Sequence, residues 1–172
     1  MFQLRDYQEE TINDIYSSMR KGNRTIVVQQ PPRTGKTVIM SEIARRATAK
    51  GNQVLFVVHR KEIVDQTTAT FQEQNVDMNL AQLGMVQTIT RHIDEIPEPQ
   101  VIFIDEDHRS LAKTYQRIID AFPNAIKLLH RLLSLWQEQW MLEFEPYKIQ
   151  PFCNNQCIRV IDCKLYGVRF LA

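Results

Sequence analysis

No stretch of this 172-residue chain approaches the roughly 18 consecutive apolar residues of a membrane span. The start, "MFQLRDYQEE", lacks the basic-then-apolar order of a secretion signal, so the expectation is a cytoplasmic protein with no membrane partner. Cysteine is scarce, and Cys153, Cys157 and Cys163 all lie in the last 20 residues. An odd number, without a Cys-x-x-Cys pair or a nearby histidine, argues against a disulfide framework and a zinc site and reads as free thiols. There is also no charge excess: a net charge of +1 gives no global pull towards nucleic acid or acidic lipid. Any such contact has to be a local basic patch. Internal repeats and low-complexity tracts are missing too. What remains is an ordinary globular composition, 44% hydrophobic and 24% charged, with length for one well-buried domain or one domain and an appendage.

The pattern along the chain alternates. Residues 6–20 place Tyr7, Ile12, Ile15, Tyr16 and Met19 on one helical stripe that Lys21-Gly22-Asn23 closes. "RTIVVQ" reads as a strand, and the loop at 30–35 opens a helix in which Ile39, Ile43 and Ala47 recur every four residues. "QVLFVVH" (53–59) is apolar through its length, as a strand buried on both faces would be. A helix over 61–74, a weaker strand near 78–82, the strand "QVIFIDED", the helix "SLAKTYQRIIDAF" and the strand "AIKLL" at 125–129 follow. Strands and helices at this spacing predict an α/β fold, a parallel sheet with helices on both faces.

Two motifs carry chemistry. Gly35-Lys36-Thr37 sits where a strand ends and a helix begins. There backbone N–H groups and the helix dipole favour an anion, a lysine can bridge phosphates and a threonine hydroxyl can bind Mg²⁺. Asp105-Glu106-Asp107-His108 ends the apolar strand "VIFI". Asp105 is assigned to the metal and Glu106 to proton abstraction from an attacking water. Each motif lies at the C-terminal end of an expected parallel strand, the edge at which open α/β sheets bind ligands. His59, Arg60 and Lys61 form a local basic patch suited to sequence-independent phosphate contacts with nucleic acid, and Thr88 and Arg91 are lesser candidates.

"PPRTGKT" followed some seventy residues later by "VIFIDEDH" resembles motifs I and II of superfamily-two helicases of the DEAD/DEAH type, including the helicase subunits of restriction systems and related phage proteins. "LRDYQEE" resembles the segment ahead of motif I, "VLFVVHRKEIVDQ" motif Ia and "GMVQTITR" motif Ib, in the expected order. The resemblance covers residues 2 to 129 and implies a RecA-like first lobe using ATP and Mg²⁺. It implies that Arg5 and Gln8 read adenine, that Pro32, Arg33, Thr34, Gly35, Lys36 and Thr37 hold the phosphates, and that Thr37 and Asp105 hold the metal. It further implies that His108 couples the ATP site to the nucleic-acid site, and that the segments around His59 and Thr88 touch the nucleic-acid backbone. Gln30, Arg33 and Asp107 depart from the family pattern.

Residues 1–129 therefore form the expected lobe. Residues 130–172 are an atypical tail that reads as a frameshift product or as a helical appendage, with "LLSLWQEQWMLEF" able to form an amphipathic helix. Where the family continues into a second lobe carrying an arginine finger, 43 residues of different character follow Leu129. The expectation is a first lobe, truncated or completed by another chain, that binds Mg-ATP but by itself is weak or inactive in hydrolysis and in unwinding. The alternatives are an intact P-loop ATPase of another family, and a non-enzymatic remnant or adaptor that acts through its tail.

Overall fold

A computed structural model describes residues 3–30, 34–106, 112–132 and 159–162. Pro32, Arg33, Asp107, His108, the three cysteines and the amphipathic segment of the tail beyond its first residue, Leu132, lie outside the described residues. The elements run α1 (Asp6–Arg20), β1 (Thr25–Gln30), α2 (Lys36–Thr48), β2 (Val54–Val58), α3 (Lys61–Glu73), β3 (Ala81–Met85), α4 (Val86–Arg91), β4 (Val101–Glu106), α5 (Ala112–Ala121), β5 (Ile126–Leu132) and β6 (Arg159–Asp162). A 3₁₀ turn over Ile93–Glu95 separates α4 from β4.

The sheet order is β3-β2-β4-β5-β1-β6. The first five strands are mutually parallel, and β6 pairs antiparallel with β1 as an edge strand. Helices cover both faces, so the α/β reading holds for the parallel part, with β6 as an addition from the tail.

The strands explain how two helical layers find their places. Val54, Phe56, Val58, Val101, Phe103, Ile26, Val28 and Leu128 point to one side, where Ile12 and Ile15 of α1, Ile39 and Ile43 of α2 and Phe71 of α3 pack on them. Leu55, Val57, Ile102, Ile104 and Leu129 point to the other, against Ile89 of α4 and Tyr115 and Ile118 of α5. A strand with both faces covered needs an apolar residue at every position, which is why these runs read as continuous rather than alternating.

Two boundaries differ from the sequence-based expectation. The strand expected near 78–82 begins only at Ala81 and runs to Met85. Asp77 is the cause: its Oδ1 accepts the Asn79 N–H at 2.9 Å, an Asx turn that occupies the first residues of the expected strand. β5 also continues past Leu129 to Leu132 because β1 and β4 pair with it that far, Gln30 opposite Leu132 and Glu106 opposite Arg131. The boundary at 129 thus falls inside a strand. No helix among the described residues is long and apolar enough to cross a membrane.

Candidate functional site

The register sets which side chains meet. Asp105 of β4 stands opposite His130 of β5, and His130 opposite Val28 of β1. Opposite residues of parallel strands share a face, and a strand alternates with period two. Asp105, His130 and Gln30 therefore all lie on the α2 face at the C-terminal end of the sheet.

Helix α2 starts beside them. Its N-cap, Gly35, has φ +77° and ψ +40°, a left-handed conformation that costs an L side chain about 1–2 kcal/mol. That conformation turns the chain out of the strand-to-helix loop so that Lys36 opens α2. Lys36 Nζ then reaches Asp105 Oδ1 at 3.1 Å, with both side chains about a fifth exposed, 21% and 17%. No described backbone carbonyl accepts a bond from the N–H groups of Gly35, Lys36 or Thr37. They remain available to an anion, as the first N–H groups of a helix are.

The N-terminal turn of α1 closes the loop from the other side. Tyr7 Oη donates to the Thr34 carbonyl at 3.0 Å and Gln8 Nε2 to the same oxygen at 3.3 Å. Gln8 Oε1 in turn accepts the Arg5 N–H at 3.0 Å, which caps α1. Gln8 is buried and Arg5 exposed.

Beneath Lys36 and Asp105 the sheet is polar but underbonded. Gln30 is fully buried, and among the described residues neither atom of its amide has a hydrogen-bond partner; the same holds for Nδ1 of buried His130. Burial, helped by the charge of Lys36, pushes the His130 imidazole down to about 3 from 6.5. It is neutral in the fold, so Lys36 is the cation facing Asp105.

The remaining expected residues divide between the two ends of one edge. His59, Arg60 and Lys61 join β2 to α3, with Arg60 and Lys61 exposed; Thr88 and Arg91 are exposed on α4. Val58 pairs with Met85, so α3 and α4, which pack on opposite faces of the sheet, both start from the β2/β3 end, across β4 and β5 from β1. Lys36, Asp105, Thr34, Gly35 and Gln8 come together at the other end. Tyr7 and His130 were missed as site residues. Tyr7 read only as part of an apolar stripe, and His130 as the first residue of the tail. Neither carries a local signal.

The donor set tests the fit of a magnesium nucleotide. Among the described residues no three of His, Cys, Asp and Glu converge on a point that could hold a metal ion. One carboxylate, one hydroxyl and a free N–H cradle suit Mg²⁺ that keeps waters and shares a phosphate ligand. The residues fit Mg-ATP, which Lys36, Thr37 and Asp105 could hold.

A parallel sheet with a phosphate-type loop after one strand, and an acid facing it from the tip of another, is the arrangement of a superfamily-two helicase first lobe. The family model described as "Type III restriction enzyme, res subunit" matches residues 1–95, and the chain belongs to that family. The chain is 39% identical to the "51.5 kDa protein" of a Lactococcus phage over 102 residues, covering 59% of this chain and 23% of that one. It is 32% identical to the "Putative ATP-dependent helicase IRC3" of Saccharomyces cerevisiae, covering 69% of this chain and 21% of that one. It thus spans between a fifth and a quarter of the length of these relatives. Among solved structures, the UvsW helicase of bacteriophage T4 shares the fold with a TM-score of 0.60 at 15% identity, covering 80% of this chain and 55% of that one.

Proposed function

We propose that this chain is the ATP-binding first lobe of a helicase-type ATPase, with Lys36, Thr37 and Asp105 holding Mg-ATP. One observation carries the reading: Lys36, in the first turn after left-handed Gly35, meets Asp105 at 3.1 Å although 69 residues separate them. When bound, Mg²⁺ neutralises phosphoryl oxygens. This chain's own part is to supply a lysine charge, three N–H donors and a threonine hydroxyl on one side, and the Asp105 carboxylate on the other. Glu106, next along β4, is assigned as the proton acceptor for an attacking water. His108 is assigned as the link to nucleic acid, and Pro32 and Arg33 complete the loop.

Arg60 and Lys61, with His59, Thr88 and Arg91, are assigned as a sequence-independent nucleic-acid interface at the β2/β3 end. Contacts of this kind weaken as salt displaces them. Turnover by this chain alone is proposed to be weak, because an arginine finger from another lobe is worth 10³-fold or more in such reactions. The chain's coverage of its relatives, 23% and 21% of their lengths, supports a partner lobe supplied beyond these residues. Equilibrium binding of a fluorescent ATP analogue with Mg²⁺, followed by a turnover assay, tests this. The expectation is binding that Lys36→Ala abolishes, with little turnover; failure of the unaltered chain to bind sinks the reading. Rapid turnover that depends on Lys36 refutes the claim of weakness.

A further inference from the structure

Three buried polar atoms beneath Lys36 and Asp105 go unused in this structure. Both atoms of the Gln30 amide and Nδ1 of His130 lack a hydrogen-bond partner among the described residues, and the two side chains are 0% and 1% exposed. Such atoms are costly to bury, so each calls for a reason in what the site does.

The register sets who could use them. His130 stands directly opposite Asp105 across the β4–β5 pair and opposite Val28 across the β5–β1 pair, and Gln30 follows Val28 by two residues on the same face. Neighbouring strands lie about 4.8 Å apart, and β5 runs between β4 and β1. The β5 imidazole is thus set between the β4 carboxylate and the β1 amide. The charge of Lys36 reaches the same ring, which places the ring beside the ion pair.

Among the described residues, Lys36 is the one side chain that bonds the Asp105 carboxylate, Nζ to Oδ1 at 3.1 Å. Lys36 also opens α2 next to the free N–H groups of the anion cradle. A lysine that turns to bridge phosphates leaves that carboxylate without its partner, and the donor next to it in register is His130.

We propose that His130 is a positioning residue for Asp105: as Lys36 turns to phosphate, an imidazole N–H of His130 takes up the Asp105 carboxylate, and the Gln30 amide donates to the other ring nitrogen. A neutral imidazole has one donor and one acceptor, so the order Gln30 to His130 to Asp105 uses both. Carboxylates that face a metal are held from behind by hydrogen bonds of this kind. Two polar residues that are a burden without ligand become the support of the site with it. The handover rests on the proposed nucleotide-binding function.

The experiment uses the full 172-residue chain with ¹⁵N-labelled histidine, and Mg²⁺ with ATP as the probe. Binding is measured separately by calorimetry, with affinities normalised to the folded fraction. The chain has four histidines; the His130 ring is identified by its absence in His130→Leu or, should that variant not fold, by replacing His59, His92 and His108 in turn. At saturating Mg-ATP the ring is expected to show one bare nitrogen and one N–H whose proton exchanges slowly with water. Gln30→Met should shift the bare nitrogen and leave that N–H in place; no shift removes Gln30 from the chain of bonds. Affinity should fall about fivefold in His130→Leu, the equivalent of about 1 kcal/mol, and return to within about twofold in His130→Gln, which keeps a donor. A ring spectrum that is the same with and without saturating Mg-ATP overturns the handover and leaves nucleotide binding standing. So does a lower melting temperature in His130→Leu with unchanged affinity, which is what a purely structural role gives. His130→Gln binding as weakly as His130→Leu overturns the donor role. No binding of Mg-ATP by the unaltered chain overturns the nucleotide function and the handover with it.

Discussion

Replacing Gly35 with alanine tests the contact between loop and helix most directly. Two costs arise. An L residue at φ +77° is strained by about 1–2 kcal/mol. The new Cβ would also stand 2.5 Å from Gln8 Nε2, the far end of a flexible side chain, so the amide yields rather than the backbone. Moving it forfeits its bonds to Arg5 and Thr34, at about 1 kcal/mol net each. The sum is about 3–4 kcal/mol. In a Gln8→Ala background the second cost is already absent, and Gly35→Ala should then cost only about 1–2 kcal/mol. The two substitutions are expected to couple by about 2 kcal/mol, read from urea denaturation followed by circular dichroism in a double-mutant cycle. Additivity within about 0.5 kcal/mol would refute the placement of Gln8 on Gly35.

His130 provides a second prediction. Its imidazole titrates at about 3 in the fold and near 6.5 when unfolded, so the unfolded chain binds the extra proton and stability rises with pH between those values and is flat above them. Wild type should lose about 2 kcal/mol from this group between pH 7 and pH 5, and His130→Leu should remove that part of the slope in denaturation measured at both pH values. Gln30→Met should raise the urea midpoint, by about 1–2 kcal/mol in stability, because it removes two buried polar atoms that lack partners while keeping volume. A fall in stability would show that the amide is bonded in solution. Lys36→Met should abolish nucleotide binding while changing ligand-free stability by about 1 kcal/mol or less, since its partly exposed ion pair contributes little; calorimetry and melting together check it. Removing Arg60 and Lys61 should weaken single-stranded nucleic-acid binding equally across sequences. Each lost cation should reduce the salt slope by about 0.7, and unchanged slopes would remove the interface from this edge.

The parallel sheet was legible because its evidence is local. Strands such as Val54–Val58 are covered on both sides, so they must be apolar throughout, and the run is visible in five letters. Glycine before lysine and threonine, and acids after "VIFI", were likewise readable as strand tips carrying charge. Those patterns point to one edge of the sheet, where Lys36 and Asp105 meet. The Asx turn at Asp77 was not anticipated because the residues after it also suit a strand, and the side chain's bond to Asn79 decided between them.

Sequence by itself determined the alternation of strand and helix, the residue types at the two strand tips and the expectation of helices on both faces, because each depends on residues close together in the chain. Tertiary structure decided the rest: that β5 runs on to Leu132, that Arg159–Asp162 closes on β1, that the Gln30 amide and Nδ1 of His130 are buried with no partner among the described residues, and that Tyr7 and Gln8 hold the Thr34 carbonyl. The physical reason is that backbone hydrogen bonds between strands and long-range side-chain contacts are satisfied by whatever the fold brings near. A glutamine at a helix start reads the same whether it faces water, a base or a loop 26 residues away.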